Sequence, residues 1–276
     1  NLNSLVSPYE NISSPQTIYI RIENNDNIVC FDTSSFSVEV FDTPTANAVL
    51  DQLICDDNND GFWNLDLTAL STTVLGAQNS ADFAITYHLS QADSDANANV
   101  LTSPYTNIVA YQQEELFIRI ENNANVNCFN TTSFIFDVFD QPTATAVLYG
   151  VCDNDDDGND TNGFVTFDLA SISAQVLDVQ DPLQFNVTYH INLADANANL
   201  ASLPLSYLNA NVNTQQIFVR VENIDNANCY ETALIDLVVY ELPTIVPLVE
   251  LFQCDDNQDG FVNFNLTEAN ELISAN

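Results

Sequence analysis

Short alternating stretches of apolar and polar residues dominate the chain. Residues 83–89 put Ile85, Tyr87 and Leu89 on one face and Thr86 and His88 on the other, the period of a half-buried strand. Residues 62–67 alternate in the same way, and 48–54 form a short apolar run that reads as an opening strand. Residues 116–122 and 133–139 read as an alternating pair around a turn at 123–127. Between them, 68–76 predicts a helical turn, and the polar, alanine-rich 91–99 predicts a short helix or a compact loop. Strands of this length separated by turn residues predict an all-β chain of Ig-like β-sandwiches of about 100 residues each.

The pattern recurs. Ile20-Arg21-Ile22-Glu23-Asn24 returns as Ile118-Arg119-Ile120-Glu121-Asn122 and as Val219-Arg220-Val221-Glu222-Asn223. A period near 100 residues is a domain-sized unit, longer than ordinary solenoid repeats. Asp-Thr-Pro-Thr at 42–45, Asp-Gln-Pro-Thr at 140–143 and Glu-Leu-Pro-Thr at 241–244 mark linkers that proline keeps short and stiff. The expected organisation is a partial repeat at 1–46, complete repeats at 47–144 and 145–245, and a further partial repeat at 246–276. Ser7-Pro8-Tyr9 corresponds to Ser103-Pro104-Tyr105 inside a repeat, so the chain reads as a window on a longer array.

Charge narrows the partners. Three Lys+Arg against 39 Asp+Glu leave a net charge of -36. Such a surface repels nucleic acid and anionic lipid and attracts divalent cations. The 46% hydrophobic content is enough for real cores, and no apolar run approaches the ~18 residues of a membrane span. Lysine is absent, which excludes Lys–Asn isopeptide crosslinks. Six cysteines occupy two fixed places per repeat: Cys30, Cys128 and Cys229, then Cys55, Cys152 and Cys254. That regularity reads as disulfides in an oxidising compartment. Pairing within a repeat (Cys55–Cys128, Cys152–Cys229) lets each unit fold alone and is preferred. Pairing across linkers (Cys30–Cys55, Cys128–Cys152, Cys229–Cys254) stays open, as does a third option: an Ig-like path with a full-length first strand puts the two cysteines of a repeat at opposite poles and favours links between adjacent repeats such as Cys55–Cys229.

Each second-place cysteine starts an acidic D-x-[DN]-x-D-G loop. Oxygens at the first, third and fifth places of such a loop can converge on one cation, and glycine permits the turn. The expected Ca2+ ligands are Asp56, Asn58 and Asp60 with the Phe62 carbonyl, completed by Asn64 or Asp66. The matching sets are Asp153, Asp155 and Asp157, with Asp160 and Asn162 from an insertion at 159–162, and Asp255, Asn257 and Asp259. The competing reading is a set of metal-free Asx-turns.

The combined motifs C-D-[DN]-[ND]-x-D-G, F-x-x-F/L-[DN]-L, T-Y-H-[LI], A-D-x-[DN]-A-N-A-N, I-[FY]-[IV]-R-[IV]-E-N and C-[FY]-x-T resemble repeats of very large secreted proteins of Bacteroidota. Those are type IX secretion cargo and surface adhesins of the gliding-motility kind. The resemblance covers the whole chain and implies an exported, Ca2+-supported array of Ig-like or cadherin-like sandwiches.

Arg21, Arg119 and Arg220 share one strand position and predict a structural ion pair with Glu23, Glu121 and Glu222. His88 and His190 are repeat copies, not a catalytic dyad. A catalytic site is ordinarily unique, whereas every polar feature here is copied, so the chain reads as non-enzymatic. The expected role is a structural stalk or filament segment for surface attachment or motility. Its partners would be neighbouring repeats, with other copies in a fibre or surface glycans and proteins beyond them. The rival is a multivalent glycan- or protein-binding array. Trp63 argues against it, because its equivalents are Val165 and Val262. A second rival treats the acidic surface as salt adaptation without a calcium role.

Overall fold

The structure is a computed structural model and describes residues 4–155 and 158–274. The chain divides into two compact units, Asn1–Phe139 and Asp140–Asn276, each described here by itself.

The first unit opens with a hairpin of β1 (Gln16–Asn24) and β2 (Asn27–Val38), in register from Gln16↔Val38 to Asn24↔Asn27. The repeat that follows contains β3 (Gln52–Asp56), β4 (Asn64–Leu65), α1 (Ser71–Leu75), β5 (Phe83–His88) and α2 (Gln91–Ala96). It continues with β6 (Tyr105–Thr106), β7 (Glu114–Asn122) and β8 (Asn125–Asp140). β3, β8, β7 and β5 form one four-stranded sheet in that order, and β4 pairs with β6 in a two-stranded ribbon. Both layers contribute to one core: Leu65, Leu67 and Tyr105 from the ribbon side, Leu116, Ile118, Ile120, Phe134 and Phe136 from the sheet. This is a sandwich, with alternate residues of each strand turned inward.

The second unit repeats the plan with β9 (Val147–Cys152), β10 (Thr166–Asp168), α3 (Ser173–Leu177), β11 (Phe185–His190) and α4 (Leu193–Ala198). Then come β12 (Ser206–Leu208), β13 (Thr214–Asn223), β14 (Tyr230–Tyr240) and, last, α5 (Glu268–Ile273). The sheet order is β11-β13-β14-β9, with β10 and β12 as the ribbon. β9 runs parallel to β14, from Ile235↔Val147 to Tyr240↔Cys152. The first and last strands of the repeat therefore lie side by side and point the same way.

Three sequence expectations shift. The opening strand begins at Gln52 rather than 48; at Asp51 the side chain, not the backbone, accepts the Ile135 N–H of β8. The strand at 62–67 shrinks to Asn64–Leu65, because Asp66 caps a 3-10 turn at Leu67–Leu70 and ends the extended run. The β7–β8 turn is tighter than 123–127, since Asn122 already faces Asn125. β5 also departs from simple alternation: Tyr87 and His88 are both buried. The segment after α2 covers the outer face, where the Ala98 carbonyl meets the His88 ring.

Candidate functional site

Each repeat carries three polar constructions, and each begins locally. The acidic loop after Cys55 is a chain of Asx-turns. Asp56 is fully buried, and its carboxylate accepts N–H bonds from Gly61 (2.6 Å) and Asn58 (3.2 Å). Asn58 Oδ1 accepts the Asp60 N–H, and Asp60 Oδ1 accepts the Phe62 N–H. Gly61 lies at φ +80, where an added Cβ would fall 2.6 Å from the Ala110 Cβ. Asn107, buried, anchors the loop: its Oδ1 accepts the Trp63 N–H and its Nδ2 donates to the Gly61 and Val109 carbonyls. The loop after Cys254 repeats the turns: Asp255 accepts from Gly260, Gln258 and Asn257, and Asp259 accepts from Phe261.

The middle loop is rewired by its insertion. Gly163, not Gly158, donates to Asp153 (2.7 Å), and Asn162 accepts the Phe164 N–H as Asp60 accepts that of Phe62. Gly158 donates instead to the Asp155 carbonyl, and Asn209 repeats the anchor of Asn107. Asn162 thus sits inside the closing turn, Asp160 lies in the insertion, and Asp157 lies outside the described residues. Asp66 stands apart from the first loop: it accepts from the Thr68 N–H and from the Thr68 and Ser103 hydroxyls, which hold its carboxyl below the usual 3.8. Asn64 Oδ1 accepts from Thr106. Among the described residues no three His, Cys, Asp or Glu side chains gather closely enough to hold a metal ion. In the first loop Asp56, Asn58 and Asp60 each accept backbone N–H groups, and Asn58 Nδ2 donates to the second Asp60 oxygen, so the three candidate side chains are bonded to the loop itself.

The second construction is the arginine. Arg119 Nε donates to Glu121 at 2.6 Å, Nη1 to the Ser94 and Asp95 carbonyls, and Nη2 to the Val126 carbonyl. Its guanidinium stacks 3.6 Å over Phe129, the aromatic that follows the first-place cysteine. Arg220 repeats every contact with Glu222, Ala196, Asn197, Ala227 and Tyr230. Arg21 keeps Glu23 (3.0 Å), the Ile28 carbonyl and the Phe31 ring, with about half its side chain exposed. Asn97, left-handed at the end of α2, donates to both Glu121 oxygens, and Asn199 does so for Glu222. At Arg119 and Arg220 a carboxylate and three carbonyls engage four of the five guanidinium N–H groups, which leaves no two-pronged fork for a ligand.

The histidines are equally occupied. His88 Nδ1 lies 2.7 Å from the Ala98 carbonyl, which can only accept, so Nδ1 carries the proton and Nε2 faces the Thr86 hydroxyl at 2.9 Å. His190 does the same with Leu200 and Thr188.

The cysteines form the third. Cys55 and Cys229 are disulfide-bonded, whereas Cys30, Cys128, Cys152 and Cys254 are free thiols. The preferred pairings Cys55–Cys128 and Cys152–Cys229 are therefore not formed, and the linker-crossing pairings also each contain a free thiol. Strand direction gives the reason. Cys152 lies opposite Tyr240 at the end of β14, whereas Cys229 immediately precedes its start. Eleven strand residues separate the two ends, roughly 33 Å at the rise of a strand, far beyond disulfide reach.

Sequence reasoning passed over Asn107, Asn209, Asn97 and Asn199, together with Gln78 and Gln180. The available signal was recurrence at equivalent places in two repeats; nothing in their residue types marks them.

The family model describing a Flavobacterium inter-domain disulphide bond domain matches three segments, 1–44, 51–142 and 148–243. No curated protein sequence matches the chain. Among solved structures, the immunoglobulin domains 1–4 of Sidekick-1 share 13% identity over 72% of this chain, at a TM-score of 0.24. The chain spans 47% of that fragment. Human mucin-like protocadherin EC1-2 shares 11% over 71% of this chain and 97% of its own, at 0.23. The protocadherin gammaB7 EC3-6 structure shares 12% over 86% and 61%, at 0.22. At these scores the likenesses carry no weight, and the sandwich assignment stands on the strand order above.

Proposed function

Because this chain belongs to the Flavobacterium inter-domain disulphide bond domain family, we propose that it is a structural repeat segment of an extracellular protein whose adjacent repeats are joined by disulfides. One observation carries the reading. Cys55 and Cys229 are each disulfide-bonded, although the second repeat holds its two cysteines at opposite ends of β14. A second-place cysteine at the exit of one repeat is then joined to the first-place cysteine at the start of the next, giving Cys55–Cys229. The same rule sends Cys128 and Cys152 to repeats outside residues 1–276. Non-reducing peptide mapping of the secreted chain should recover a peptide containing Cys55 crosslinked to one containing Cys229; a Cys55–Cys128 crosslink overturns the reading. Reduction should lower stability on the order of 2–4 kcal/mol.

The finer reading places this segment in the stalk of a surface adhesin exported by type IX secretion, where the repeats provide reach and not chemistry. Its support is the motif resemblance together with the internal bonds that occupy Arg119, Arg220, His88 and His190. No helix among the described residues is long and apolar enough to cross a membrane. A binding-module reading needs an exposed aromatic platform, but Trp63 is partly buried against the core of its repeat.

Calcium is the second part of the proposal. Asp56, Asn58 and Asp60 would supply oxygens, and the millimolar calcium of extracellular fluid would fill even a weak site. Melting at high NaCl with and without chelator tests it. A calcium-dependent rise in Tm supports the role, and no chelator effect leaves only self-sufficient Asx-turns and salt adaptation.

A further inference from the structure

We propose that each linker is a docked part of the repeat that follows it, held in a polar cradle at that repeat's leading end, and is not a hinge. The inference stands on hydrogen bonds inside each unit and is independent of the adhesin reading. The contacts occur twice, in the same order. Asn122 Nδ2 donates to the Asp42 carbonyl (3.0 Å), and Asn223 Nδ2 to that of Asp140 (3.1 Å). Pro44 and Pro142 are buried. Gln78 then grips Thr45 at two points: its Oε1 accepts the Thr45 N–H (2.8 Å) and its Nε2 donates to the Thr45 carbonyl (2.7 Å). Gln180 grips Thr143 identically, at 2.9 and 2.7 Å. The second hydrogen of each amide goes to the Leu75 or Leu177 carbonyl at the end of the short helix. Ala46 and Ala144 pack on the cores, and the N–H of Asn47 or Thr145 closes onto the Val74 or Val176 carbonyl.

The side-chain amide acts here as one rung of a β-ladder, meeting N–H and C=O of a single residue. All these bonds address the main chain. That explains how the cradle accepts Thr43 in one linker and Gln141 in the other. In the third linker the last of these bonds recurs, from the Val246 N–H to the Ile273 carbonyl.

Amide hydrogen exchange on the full chain tests the proposal without any variant. The Thr45 and Thr143 N–H groups should exchange far more slowly than an unstructured amide. Gln180→Ala should then raise the Thr143 rate by about tenfold, with Thr45 unchanged as the internal control and β13 amides unchanged as the check on folding. Gln78→Ala should do the reverse. Thr143 exchanging at the rate of an unstructured amide in the unaltered chain, or keeping its protection in Gln180→Ala, overturns the docked linker.

Discussion

At Arg119 the guanidinium and its carboxylate partner are almost sealed from water, their side chains 4% and 9% exposed. Removing one partner of such a pair strands the other, so Arg119→Met is expected to cost about 3–5 kcal/mol in chemical denaturation. Arg220→Met, at the equivalent pair 4% and 9% exposed, should cost the same, roughly 3–5 kcal/mol. Adding Glu121→Gln to Arg119→Met should recover part of the loss, because no charge is then left buried. Beneath this arginine the Ser94 hydroxyl is buried without a hydrogen-bond partner, and the second repeat has Ala196 at that place. Ser94→Ala should therefore stabilise the first repeat, by about 1 kcal/mol, readable as a shift of its unfolding midpoint. The pairing of arginine with glutamate two places on was legible in the sequence, since the two share a strand face. The carbonyls of α2 were not, because that helix lies more than twenty residues upstream, and the stack on Phe129 depends on the cross-strand register.

The acidic loops show how a motif can mislead at the scale of an element. Written as D-x-D-x-D-G, the second copy points to Gly158, but the turn closes five residues later at Gly163. An added Cβ at Gly163 collides with Asn213 and Val212, whereas nothing lies within 4 Å of one at Gly158. Both glycines have positive φ, so Gly158→Ala should cost about 1–2 kcal/mol from backbone strain. Gly163→Ala should cost a further 1–3 kcal/mol, roughly, from overpacking. Equal losses in thermal melts would show that the loop closes elsewhere. Strand existence and the β7–β8 pairing were readable from alternation alone, because period two has no other common cause. Strand ends were not readable. They are decided by side chains such as Asp66, whose capping of the next turn stops a run that alternation would continue. The asparagine anchors escaped notice because their partners are backbone groups more than forty residues away.

Across the whole molecule, acid acts through two opposing effects. A net charge of -36 repels itself, and protonating exposed carboxylates relieves that repulsion. Asp66 is held below its ordinary 3.8 first by the Thr68 hydroxyl and then by that of Ser103, and Asp93 first by the Ser90 hydroxyl and then by Asn99. A depressed carboxyl contributes stability above its unfolded pKa and loses it as pH falls through the folded one. The chain should therefore gain or hold stability from pH 7 down to about 5, then lose it below 3.8, with Asp66→Asn and Asp93→Asn flattening that acid limb. Tm against pH measures both arms, and a steady decline from neutrality would contradict the first. The parallel pairing of β9 with β14 has a mechanical outcome. Tension applied through the two ends of a repeat slides these strands along one another, so the rungs from Val147 to Cys152 are loaded together and must fail together. An antiparallel closure would peel one rung at a time, so this one strand direction equips the second repeat to resist being drawn out by its ends.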